Sequence, residues 1–165
     1  MKDLFKNMPS DARVWIYQAD RELNPAEQDR FREKSAEFVQ QWTAHKKQLN
    51  AEMELVYNRF VVVMVDENYS DVSGCGIDKS VNFLKEMESD LGIKLFDRLT
   101  VAYRDANEQI RTVPASIVPE LISSGQMTEI TIIFNNTVQT KAEWETKWEM
   151  PLRYSWLSKY IRYSV

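Results

Sequence analysis

The chain has 165 residues, about one domain's worth and enough to bury a substantial core. Apolar residues make up 44% and charged residues 28%, a globular balance that argues against disorder and against a membrane protein. The net charge of −4 comes from 21 basic and 25 acidic residues interleaved rather than blocked, so a nucleic-acid binder with a basic stripe is not expected.

The longest apolar run, residues 60–65, is strand length and far short of the roughly 20 residues that span a bilayer. Residues 1–13 carry scattered charges and no apolar stretch, so they read as a flexible N-terminal segment of a single domain spanning 1–165, with no secretory signal. Cys75 is the only cysteine, which excludes an internal disulfide and points to the cytoplasm. The sequons at Asn68 and Asn135 are then chance matches.

Taken in chain order, Val14-Trp15-Ile16-Tyr17 is rich in β-branched and aromatic types and predicts a first strand. Asn24, Pro25 and Glu27 then mark a helix start with a capping-box spacing, and Phe31, Phe38, Trp42 and His45 recur on one face as far as residue 45. Residues 53–57 and 60–66 predict a hairpin turning at Asn58-Arg59, its second strand apolar throughout as if covered on both faces. A loop over 67–76 leads to a helix over 78–91 that Gly92 stops. Residues 99–104 and 109–113 predict another hairpin, 114–124 a short helix closed by Gly125, and 128–134 a strand. A last helix opens at Thr140 with Glu143 at capping-box spacing, carries Trp144 and Trp148 one turn apart, and meets a kink or interruption at Pro151. Arg153, Lys159 and Arg162 interleave with Tyr154, Trp156, Tyr160 and Tyr163 beyond it, which predicts an amphipathic terminal helix rather than a base-stacking segment.

This order, β-α-β-β-α-β followed by β-α-β-α, predicts an α+β fold, mainly an antiparallel sheet with packed helices, that starts like a split β-α-β sandwich.

Residues 73–80, SGCGIDKS, draw the most attention as a site. Backbone N–H groups at a glycine-rich helix start attract anions and favour a thiolate at Cys75. A phosphate-binding P-loop would need glycine immediately before Lys79 and another five residues earlier, where this chain has Asp78 and Ser73. A smaller anion nest built from Ser73, Gly74, Gly76, Asp78, Lys79 and Ser80 fits better. The competing expectation is plain packing, in which the glycines make a turn, Asp78 caps a helix and Cys75 is buried.

His45 is the only histidine, so a Cys75 nucleophile with His45 as base or orienting partner is the one thiol-enzyme arrangement the composition allows. One cysteine and one histidine do not make a usual zinc site, and no metal or cofactor is expected; Asp66, Glu67, Asp71 and Asp78 are the remaining carboxylates. Asp66 stands at the end of an apolar strand, where ligand-binding carboxylates often sit, and Asn135 and Asn136 follow a strand in the same way.

VWIYQADREL at 14–23, YNRFVVVMVDE at 57–67, SGCGIDKSV at 73–81, LFDR at 95–98 and FNNTVQTKAEWETKWEMPL at 134–152 together resemble an uncharacterised family of small bacterial proteins often labelled "ABC transporter ATPase". The resemblance covers almost the whole chain after Arg13 and brings no activity, ligand or catalytic residue with it. The label implies ATP hydrolysis, yet the chain lacks the Walker A glycines, an LSGGQ signature and the length of such a domain. The leading expectation is therefore a non-catalytic binding or interaction module, its site around Asp66 and residues 73–80, for a small ligand or protein partner. The aromatic segment from Trp144 to Tyr163 offers a surface for a homodimer.

Overall fold

A computed structural model describes residues 3–45, 49–68 and 74–163, of which 44, 45, 74, 75, 162 and 163 are described by backbone alone. Among the described residues, seven strands and four α-helices follow one another as β1 (Arg13–Gln18), α1 (Pro25–His45), β2 (Asn50–Val56), β3 (Phe60–Asp66), α2 (Gly74–Leu91), β4 (Thr100–Arg104), β5 (Ile110–Pro114), α3 (Val118–Ser123), β6 (Ile132–Phe134), α4 (Lys141–Lys147) and β7 (Glu149–Pro151). Short 3-10 turns precede α3 and close the chain at Leu152–Tyr154 and Trp156–Tyr163. The α+β class stands, and every strand pair is antiparallel.

The strands form two sheets in the orders β1-β3-β2 and β5-β4-β6-β7. The opening elements therefore do not build a split β-α-β sandwich, which needs parallel neighbours: β1 runs antiparallel to β3, and β4 leaves for the second sheet. β3 is the middle strand of its sheet and is buried at every position, as its unbroken apolar run requires. Val61, Val63 and Val65 face α1 and α2 with Phe31, Trp42, Leu84 and Met87. Phe60, Val62 and Met64 face the other way, against Ala102 and Phe134 of the second sheet and Trp144 and Trp148. A third cluster, around Val118, Met127, Ile133, Leu152 and Leu157, backs the second sheet.

Local signals explain the well-formed ends. Asn24 Oδ1 accepts from Glu27 N–H at 2.9 Å while Glu27 Oε1 accepts from Asn24 N–H at 2.9 Å, the reciprocal capping box expected of α1. The Glu27 carboxyl is held down to about 2, first by Arg21 and then by the Asn24 N–H. At the end of α2, Gly92 takes a left-handed φ of 64° and Ile93 N–H reaches Glu88 C=O at 3.2 Å, a Schellman closure.

Other expectations are corrected. α2 begins at Gly74, so Gly74 and Gly76 are helical, Gly76 is buried, and Asp78 sits exposed inside the helix instead of capping it. The first hairpin turns at Tyr57 and Asn58, both with positive φ (53° and 60°), one residue earlier than Asn58-Arg59. Residues 128–131 form a turn in which Thr131 N–H meets Thr128 C=O at 3.1 Å, leaving only Ile132–Phe134 as strand. α4 ends at Lys147, and the chain extends as β7, which ends on Pro151, whose missing N–H is tolerated on an edge strand. The terminal helix is replaced by 3-10 turns that bury Leu157. The N-terminal segment docks into the core through Phe5 (2% exposed) and Met8 (3%), and Lys141 Nζ donates to the carbonyls of both at 2.7 Å. Among the described residues no helix is long and apolar enough to cross a membrane.

Candidate functional site

The positions singled out in sequence are described only in part. Ser73 and Asp71 lie outside the described residues, and so do the side chains of Cys75 and His45, so their separation is not described. Asp78 and Lys79 are exposed on α2, and Ser80 is buried with its hydroxyl donating to Ile77 C=O at 2.7 Å. From Gly74 onward the segment is helix, and the loop that leads into it, with Ser73, lies outside the described residues. Lys79 instead joins Phe38, Trp42, Asn82, Phe83 and Glu86 around a hollow of about 370 Å³ between α1 and α2. Asp66 is buried, and its Oδ1 accepts from Asn68 N–H at 2.9 Å, so the carboxylate ends its strand in an Asx turn. Asn135 does likewise, accepting from Thr137 N–H at 3.2 Å and from its hydroxyl at 2.5 Å.

Asn136 is different. Its Nδ2 donates to Gln18 Oε1 at 3.0 Å and its Oδ1 accepts from Trp148 Nε1 at 2.9 Å. Gln18, 7% exposed, passes the chain on by donating from Nε2 to Thr100 C=O at 3.3 Å. The relay therefore ties β1, β4 and the segment after β6 together, each member oriented by its neighbours.

This relay borders a cleft of about 450 Å³ where the free edge of β1 faces the second sheet. Three stretches distant in sequence supply its walls: 13–18, 95–101 and 134–139, joined by Trp156. Its size is that of ordinary ligand pockets, which pair apolar walls with a few placed polar groups. Tyr17 and Phe96 meet edge to face at 5.3 Å, and Trp156 is 47% exposed at the rim. Arg13 lies 4.6 Å over the Trp15 ring and pairs with Glu67 at 3.2 Å. Arg98 is exposed and makes no ion pair or hydrogen bond among the described residues. The neighbouring Asp97 carboxylate accepts from Leu99 N–H at 2.8 Å and from the Thr100 hydroxyl at 3.0 Å, bonds that hold it below the usual range. Burial raises the Tyr17 phenol and Arg98 partly offsets that, so the phenol stays protonated, a donor rather than a base.

At the other end of the same seam a polar cluster is closed on itself. Glu149 accepts from the Tyr57 hydroxyl at 2.7 Å and from Arg104 Nε at 2.7 Å, while Arg104 lies 4.9 Å over the Tyr57 ring. Tyr57 stacks on Trp148 with centroids 5.7 Å apart. Burial, then the bond to Glu149, pushes the Tyr57 phenol up to about 12.

Of the cleft residues, the sequence marks Asn136 as a ligand contact and Trp156 only as part of an aromatic partner surface. Tyr17, Gln18, Arg98 and Thr137 escape sequence reading because their meeting depends on how two sheets pack, and no spacing within one segment records that. Glu52 and Glu54 also escape it: they stand on one face of β2, both raised first by burial, with Lys141 lowering Glu52 and Glu52 raising Glu54. No group of three His, Cys, Asp or Glu side chains suited to a metal occurs among the described residues. Comparison with known protein families, with curated proteins and with solved structures returned no match.

Proposed function

We propose that the protein is a non-catalytic binding module whose ligand sits in the cleft between β1 and the second sheet. The observation that carries this reading is the convergence of Arg98, Gln18, Asn136 and Thr137 on aromatic walls in a cavity of about 450 Å³. Arg98 is a cation with no partner of its own among the described residues, beside amides already fixed by the relay through Trp148. Binding is favoured over catalysis because Asp97 is engaged with Leu99 and Thr100, and Tyr17 holds its proton. Lys79 is exposed inside α2 with the carboxylate-bearing Asp78 beside it in the chain, an arrangement that does not favour a nucleotide phosphate.

The test is a mixed fragment library followed by amide chemical shifts of the labelled protein. Shifts are expected to gather on Gln18, Asn136 and Thr137, and to vanish in Thr137→Trp, which fills the cleft from an exposed position. Hits that gather in the α1/α2 hollow, or survive Thr137→Trp unchanged, would defeat the assignment.

A further inference from the structure

We propose that the cleft's occupant is an extended peptide that adds to the free edge of β1 and presents a carboxylate to Arg98; this rests on reading the cleft as the ligand seat. Peptide addition to an exposed sheet edge draws its affinity from main-chain hydrogen bonds and its selectivity from alternate side chains.

The backbone supplies the first argument. In an antiparallel sheet, successive residues turn their N–H and C=O alternately toward the partner strand and away from it. Val14 donates outward, to Gln139 C=O at 2.9 Å, whereas Ala19, just past the strand, donates inward to Arg59 C=O at 2.7 Å. Even-numbered residues of β1 therefore face the open side. Outward bonds occupy both ends of that edge: Lys141 N–H meets Ala12 C=O at 2.9 Å, and Asp20 N–H meets Lys94 C=O at 3.0 Å. Between them, the Ile16 N–H and C=O and the Gln18 N–H bond to no backbone group among the described residues, and both residues line the cleft. An open edge bounded by occupied ends is a strand-shaped slot. From Val14 to Asp20 it measures about 20 Å at the usual rise per residue, room for about four residues of an added strand.

Charge supplies the second argument. Arg98 lines the cleft together with Tyr17 and Gln18, and the carboxylate of its chain neighbour Asp97 is engaged by Leu99 and Thr100. An acidic side chain on the added strand answers Arg98 while the peptide backbone answers Ile16 and Gln18. A small free anion answers only Arg98. That difference separates the two ligand classes.

The experiment uses the full chain, isotopically labelled, with four probes: an equimolar pool of acetyl-Xaa-Val-Xaa-Asp-amide peptides, the same pool N-methylated at Val and Asp, the pool N-methylated at both Xaa positions, and sodium benzoate. The unmodified pool is expected to shift the Ile16 and Gln18 amides and slow their exchange with solvent. Methylation of one alternate set of amides abolishes this and the other set spares it, since only one set faces β1. Arg98→Gln weakens the pool about tenfold, the usual loss of one charge-assisted hydrogen bond, and Arg98→Lys restores part of it. Equal binding of both methylated pools, or benzoate protecting Ile16 and Gln18 as well as the peptides do, overturns the peptide assignment and leaves the cleft as a small-anion site. Absence of any cleft response to all four probes overturns both readings.

Discussion

The two ends of the seam between the sheets are built from similar residues and end in opposite states. At one end Arg104 has a carboxylate, Glu149, and two aromatic faces within reach, and the Tyr57 hydroxyl closes the cluster from the hairpin turn. At the other end Arg98 shares the cleft with aromatic rings and amides but makes no ion pair with an acid among the described residues. A closed cluster stabilises the fold; an open one is available to something else. Trp148 belongs to both, since its ring is the floor under Tyr57 and its N–H begins the relay to Asn136 and Gln18.

The largest loss is therefore expected from Trp148→Ala, which removes the residue both ends share. Trp148 is 1% exposed and touches Tyr57, Phe60, Phe134 and Trp144, so its loss is expected to cost about 3–5 kcal/mol in urea unfolding. It also frees Asn136, so ligand-induced shifts at Gln18 should weaken in whatever folded fraction remains. A cost below 1 kcal/mol would mean the ring is not a shared floor.

Next in size is Glu149→Leu, which removes the acid that answers Arg104 and Tyr57 while leaving the cleft untouched. The expected loss is about 2 kcal/mol, in the range for a hydrogen bond to a charged group, because the Arg104 and Glu149 side chains are only 20% and 28% exposed. Cleft binding should not change. If binding fell with stability, the two ends would be one cooperative unit and the contrast would fail.

The same cluster has a signature in alkali. The Tyr57 phenol is raised from its ordinary value near 10 to about 12, so the folded state holds this proton more tightly than the unfolded chain does. Its stabilisation is complete below pH 10 and is lost as pH rises from 10 through about 12. Difference absorbance of tyrosinate should show a late-ionising component near pH 12 that Tyr57→Phe removes and Glu149→Leu moves to lower pH. Coincident ionisation of every tyrosine before unfolding would contradict it.

How much of this was legible in sequence follows from range. The α1 cap was, because Asn24 and Glu27 are three residues apart and their bonds close within one turn. So was the end of α2 at Gly92. The start of α2 was misread: Gly74 and Gly76 lower helix propensity by about 1 kcal/mol each, but the helix buries Gly76 and Ser80, and packing overrides propensity. The stretch after Lys147 was misread because Trp144 and Trp148 recur at helical spacing, while the pairing of Phe134 with Glu149 that turns the chain into β7 is long-range. The cleft was hidden for the same reason, its walls coming from segments some 80 and 120 positions beyond β1. Asn136 is marked by its place after a strand, and Trp156 only as one of a run of terminal aromatics.

The smallest expected effect is the most diagnostic. Arg98→Gln deletes a cation that, among the described residues, holds no carboxylate, so its removal should change unfolding free energy by no more than about 0.5 kcal/mol, as surface substitutions usually do. Arg98 draws the Tyr17 phenol down against the rise that burial imposes; in Arg98→Gln that phenol should therefore ionise at higher pH, still intact at neutrality. Arg104→Gln is the matched control at the closed end, where the same chemical change strips a partner from Glu149 and should cost several times more. The pair of variants thus measures the contrast directly, with the mutation held constant and only the surroundings changed. If Arg98→Gln destabilised the protein as much as Arg104→Gln, Arg98 would be a structural residue, and the open end of the seam would lose its claim to a ligand.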